Sequence, residues 1–133
     1  MAIKRFGVSL EDNLLEDLDQ FVIQNRFPNR SQAIRHLIQK NLIEEKWEND
    51  DVVAGAIVIV YDHNLPELHQ KVNSLQHEYN CLTLAGQHIH IDNHTTLEVI
   101  TVKGKARKLT KLADKLTAIK GVKHGELVKT GID

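Results

Sequence analysis

The chain has 133 residues, enough for one medium domain or two small ones, with 41% hydrophobic and 26% charged residues. Its formal net charge is −1, so bulk charge gives no attraction to nucleic acid and any DNA contact must come from local placement. A single cysteine, Cys81, excludes an intrachain disulfide and fits a reducing compartment; no secretory leader is expected at Met1, and no apolar run is long enough to span a bilayer, so a cytoplasmic location and no membrane partner are expected.

Ile3–Leu10 alternates, with Phe6, Val8 and Leu10 on one face and Arg5, Gly7 and Ser9 on the other, which predicts a short strand. A helix is expected from about Glu11, its apolar stripe Leu14, Leu15, Leu18, Phe21 and Val22. Arg26–Arg30 breaks the pattern, and Ser31 is positioned to cap a second helix with the stripe Ile34, Leu37, Ile38 and Leu42. The polar stretch Lys46–Asp51 reads as a linker.

Beyond it the pattern runs strand (Val52–Tyr61), helix (Leu65–His77, with Pro66 in its first turn), strand (Leu82–Ile91), strand (Thr96–Val102), helix (Lys105–Ala118) and strand (Val122–Val128). This order is ferredoxin-like, so the fold class is α+β: a DNA-binding unit over residues 1–46 and a βαββαβ domain over residues 52–133.

One strand and two helices bury too little surface to stand alone, and the strand has two free edges. Pairing with the same strand of a second copy removes both problems and creates a two-stranded ribbon of a kind that enters the DNA major groove. Arg5, Gly7 and Ser9 would then face the bases, Arg5 as a bidentate donor to guanine and Gly7 as a point of close backbone approach. Asn29, Arg30 and Ser31 at the start of the second helix suit a phosphate.

The second constellation is His77 followed by His88-Ile89-His90. Residues two apart on a strand share a face, so His88 and His90 present two imidazoles together, and neutral imidazole suits the later first-row divalent ions. Alone, His-x-His is a weak signal.

Taken together, Arg5–Leu10, Asn29–Arg35, Tyr61-Asp62-His63, Gln76-His77, His88–Ile91, Val102-Lys103-Gly104 and Gly121–Gly125 resemble the nickel-responsive transcriptional regulators, ribbon-helix-helix proteins with an ACT-like metal-binding domain. The resemblance covers essentially the whole chain. It implies a metal-responsive regulator of transcription with repression as the expected sign, Ni2+ as cofactor, a double-stranded DNA operator as partner and a homotetramer. It also implies a nickel site across a subunit interface, with His88 and His90 from one chain and His77 from its neighbour, and with His63, Gln76 and Glu98 around them.

At the family's cysteine ligand this chain has Thr96. A neutral hydroxyl is a poor substitute for a thiolate, which leaves three expectations open: weaker binding through His77, His88, His90 and water; replacement of the ligand by Cys81 or His94; or a site for cobalt, copper or zinc. Cys81 is expected in the core and His94 and His69 in solvent. Gln32 and His36 stand where the family carries acidic residues for a second cation, and Asn64, Leu65 and Pro66 carry no charge where some members grip phosphate. The basic run Lys103–Lys115 reads as a solvated helix face, and Trp47 as a packing residue.

The competing class is a regulator whose ACT-like domain binds a small organic effector. An antitoxin fits less well, because both halves are fully patterned. An enzyme fits least: no nucleophile sits beside a base, and neither a phosphate loop nor HExxH occurs.

Overall fold

The structure is a computed structural model that describes residues 2–133; Met1, the first residue of the expected amino-terminal unit, lies outside them. The chain divides into two compact units, Met1–Asn41 and Leu42–Asp133.

In the first unit, residues 2–11 form neither helix nor hydrogen-bonded strand. The strand expected over Ile3–Leu10 is not assigned within one chain, for the physical reason that a strand needs a partner to hydrogen-bond. Its apolar side is bare, with Phe6 75% and Val8 56% exposed. Helix α1 (Asp12–Gln24) ends in a left-handed turn at Arg26, φ 58°. There the Phe27 amide donates to the Val22 carbonyl (3.0 Å) and the Arg26 amide to that of Ile23 (3.2 Å), the paired bonds of a Schellman ending. Phe21 stacks on Phe27 at 5.6 Å, and the His36 ring lies 5.2 Å from Phe27.

Helix α2 (Arg30–Glu48) is capped by Asn29, whose Oδ1 accepts from the Gln32 amide at 3.0 Å. The expected cap, Ser31, instead lies inside the helix: the asparagine two residues earlier already satisfies an orphan donor. Arg30 grips Asp19 through Nε and a terminal nitrogen, at 2.8 and 2.9 Å.

The expected linker at Lys46–Asp51 is helical through Glu48. Trp47 accounts for this. It is 7% exposed in the core of the second unit and donates its indole N–H to the Thr130 carbonyl at 3.0 Å, while Lys129 lies over its ring. The helix closes with a second Schellman pair at Asp50, φ 57°.

The remaining elements are β1 (Val52–Asp62), α3 (Leu68–Glu78), β2 (Thr83–His90), β3 (Thr95–Lys105), α4 (Ala106–Thr117) and β4 (Val122–Thr130), the βαββαβ order expected. The sheet order is β2-β3-β1-β4, and every neighbouring pair is antiparallel. Helix α3 starts three residues later than expected because Asp62 holds a turn, its carboxylate accepting from the Asn64 amide at 2.9 Å. Gly121, φ 104°, turns the chain from α4 into β4.

The core joins alternate residues of β1 (Val53, Ile57, Ile59, Tyr61) and β3 (Ile100, Val102) to Leu68 and Val72 of α3 and Leu109, Leu112 and Leu116 of α4. Both helices therefore cover one face of the sheet. The other face carries no helix and shows Ile89 (46% exposed), Ile91 (58%) and Val128 (51%). No helix among the described residues is long and apolar enough to cross a membrane.

Candidate metal centre

Strand β2 lies at an edge of the sheet and pairs with β3 so that His88 stands opposite Glu98 and His90 opposite Thr96. Opposed residues of an antiparallel pair share a face. Both imidazoles thus project to the helix-covered side, yet stay accessible because β2 is the outermost strand. Glu98 and Thr96 beneath them are each 1% exposed.

Glu98 is the anchor of the site. Its Oε1 accepts the Tyr61 hydroxyl at 3.0 Å, its Oε2 accepts the Gln76 side-chain amide from α3, and the His88 Nδ1 edge faces Oε1 at 3.7 Å. Burial, and then the neighbouring carboxylate, push the Tyr61 phenol well above its ordinary range, so it acts as a fixed hydrogen-bond donor. A buried carboxylate with these donors is tied in place, and it turns Nδ1 of His88 inward, leaving Nε2 outward.

Thr96 bonds His63: the hydroxyl and His63 Nδ1 are 2.9 Å apart. The His63 ring in turn lies flat on His90, with centroids 4.1 Å apart and planes 7° from parallel. His69 of α3 meets His88 edge-on at 5.8 Å, reaches the Tyr61 hydroxyl at 3.4 Å through Nδ1, and meets the Asn73 amide at 3.0 Å through Nε2. Tyr61, His63, His69, His88, His90 and Thr96 line one cleft of about 310 Å³.

The structure thus brings together His63, His88, His90, Thr96, Gln76 and Glu98 from the sequence reading. It does not bring in the others. His77 is exposed near the end of α3 and does not line the cleft of its own chain. Cys81 is an exposed free thiol, not a core residue. It precedes β2 at the end away from His88, about 23 Å along extended chain. It is solvent-facing because it sits in the tight turn between α3 and β2, where the Leu82 amide bonds the Tyr79 carbonyl. His94 lies in the β2–β3 turn, with its Nδ1 2.9 Å from the Asn64 side-chain amide. His69 and Tyr61 are the members that the sequence reading missed. Their signal was the seven-residue spacing of His69 and Gln76, which puts both on one side of α3.

Among the described residues, no three His, Cys, Asp or Glu side chains stand in place to hold a metal ion. The donors at hand are imidazoles with one neutral hydroxyl. They suit a divalent late first-row ion such as nickel in nitrogen and oxygen ligation, and they do not supply the thiolate of a square-planar nickel centre. The residues that would hold the ion are His88 and His90, with Glu98 orienting the first.

Residues 54–130 match the family model described as the NikR C terminal nickel binding domain, and residues 4–45 match ribbon-helix-helix proteins of the copG family. Similar proteins carry the name "Putative nickel-responsive regulator". One from Pyrococcus furiosus is 46% identical over 131 residues, 98% of this chain and 95% of that protein. Those from Geobacter sulfurreducens and Pelobacter propionicus are 45% and 44% identical over 127 residues, 95% of this chain and 91% of each. The fold also resembles a solved structure of an uncharacterized protein from Thermotoga maritima, with a TM-score of 0.54 at 20% identity over 59% of this chain and 98% of that one. The chain belongs to the NikR family of nickel-responsive regulators, DNA-binding proteins of the ribbon-helix-helix class and not enzymes.

Proposed function

We propose that this protein is a cytoplasmic repressor that binds its operator when nickel occupies the cleft beside β2. The observation that carries this reading is the pair His88 and His90 on one face of β2, the first turned by buried Glu98 and the second opposite Thr96. His77, exposed and remote from its own chain's cleft, is the donor available to the site of a neighbouring copy. The bare apolar sheet face and the unpaired residues 2–11 support association into a homotetramer, with residues 1–46 pairing through their strands and residues 52–133 forming the centre.

On DNA, Arg5, Gly7 and Ser9 face the bases. Asn29 and Ser31 offer the α2 terminus to phosphate, while Arg30, engaged with Asp19, sets the angle of the turn between the helices. Metal would bias the DNA-binding halves by ordering α3, which reaches the site through Gln76 and His69. The test is selection of duplexes from a random pool by the nickel-loaded protein. Enrichment of a palindromic site bound only with metal supports the reading; enrichment that ignores metal sinks its sensing half.

A further inference from the structure

Two imidazoles of the cleft share one anchor. His88 turns its Nδ1 edge to Glu98 Oε1, and His69 reaches the same carboxylate oxygen through the Tyr61 hydroxyl, which donates to it. The Tyr61 proton is committed to Glu98, so the phenol oxygen can only accept from His69. That fixes His69 with its proton on Nδ1 and its lone pair on Nε2. The Asn73 side-chain amide, at 3.0 Å, donates to that lone pair. An imidazole with its protonated nitrogen held by a buried network and its other nitrogen lone pair facing an exposed, replaceable donor is preorganised as a metal ligand. His88 has the same orientation by the direct route. His90 follows two residues on, on the same face, and all three rings line the same cleft.

We propose that His69 is a metal ligand in this protein, completing with His88 and His90 a three-imidazole site within one chain that takes a late first-row divalent cation without any thiolate. The inference rests on the metal site proposed above and adds the donor that Thr96 does not supply. The ion displaces Asn73 from His69, and the three side chains turn about their χ angles to converge. Because the ligands are all nitrogen, the site binds Cu2+ and Ni2+ alike, and the thiolate-dependent preference for square-planar nickel is lost.

The test loads the full-length protein with Cu2+ and counts coordinated imidazoles by pulsed electron paramagnetic resonance. Ni2+ affinity is measured in parallel by calorimetry. The variants are His69→Gln, Tyr61→Phe and His88→Ala. His69→Gln is expected to lose one imidazole from the count and to weaken Ni2+ binding about tenfold or more. Tyr61→Phe, which removes the orienting hydroxyl and no ligand, is expected to weaken binding with the count unchanged. In the wild-type protein, the 15N resonances of His69 are expected to shift on adding Zn2+, which keeps the test valid if a variant does not fold.

An unchanged count in His69→Gln, or His69 resonances that ignore Zn2+, overturns the proposal. If His88→Ala abolishes binding at the same time, the underlying metal site stands without His69. If His88→Ala binds as well as wild type, that site falls too.

Discussion

His63 Nδ1 and the Thr96 hydroxyl stand 2.9 Å apart, and the plane of His63 lies 4.1 Å from the ring of His90. Where the family places a metal-binding sulfur, this protein has a hydroxyl already satisfied by a neighbouring imidazole. Thr96→Cys returns a thiol to a position directly across the strand pair from His90. With nickel, the variant is expected to give an intense near-ultraviolet thiolate-to-metal band that the wild-type protein lacks, and tighter binding. Absorption spectra of the two nickel-loaded proteins check this, and identical spectra would show that position 96 is outside the metal's reach.

Tyr61 and Glu98 form the buried floor of the site, and burial together with the Glu98 charge holds the phenol in its protonated form. In Glu98→Gln the like-charge penalty on the phenolate disappears, so the Tyr61 titration is expected to fall towards the ordinary value of 10.0. Ultraviolet titration of tyrosinate reads this directly. Glu98→Ala also leaves the phenol and the Gln76 amide without their acceptor, for an expected loss of about 1–3 kcal/mol in urea unfolding.

Gly125 of β4 faces the side chain of Thr117 so closely that a Cβ there would collide with its hydroxyl and its methyl. Thr117 cannot swing freely, because its hydroxyl donates to the Ala113 carbonyl at 2.8 Å. Gly125→Ala is expected to cost about 1–3 kcal/mol. Combining it with Thr117→Ala removes the colliding atoms and is expected to recover part of the loss, which a double-mutant cycle of denaturation midpoints measures.

Asp92 accepts from the His94 and Thr95 amides at 2.8 and 2.7 Å, and these bonds hold its carboxyl below the ordinary 3.8. The bond from Arg30 does the same for Asp19. A carboxyl lowered in the folded state stabilises fully above 3.8, and its contribution fades as pH falls through the lowered value. Asp92→Asn and Asp19→Asn are therefore expected to be less stable than wild type at neutral pH, with the gap closing as pH drops below 3.8. Urea midpoints across that range check it; a gap independent of pH would mean that charge is not what these residues contribute.

Much of this was legible in the sequence because period and topology are local signals. The alternation of β3 already placed Thr96 and Glu98 on one face, and His88-Ile89-His90 could only be a pair on one side of a strand. The end of α2 was hidden because Trp47 is anchored by Thr130, which lies at the other end of the second unit's sequence. The amino-terminal strand is legible as a pattern but acquires hydrogen bonds only with another chain. His69 escaped notice because its partners, Tyr61 and Glu98, come from two strands that the sequence does not register against α3.

The central claim is that a metal at β2 governs DNA binding. Its most direct test is fluorescence anisotropy of a selected duplex, titrated with the apo protein and with the nickel-loaded protein, for wild type and for His88→Ala/His90→Ala. The account predicts that nickel tightens the wild-type complex about tenfold or more, and that the double variant binds weakly with or without the ion. If the double variant responds to nickel as wild type does, the metal acts elsewhere and the account is wrong.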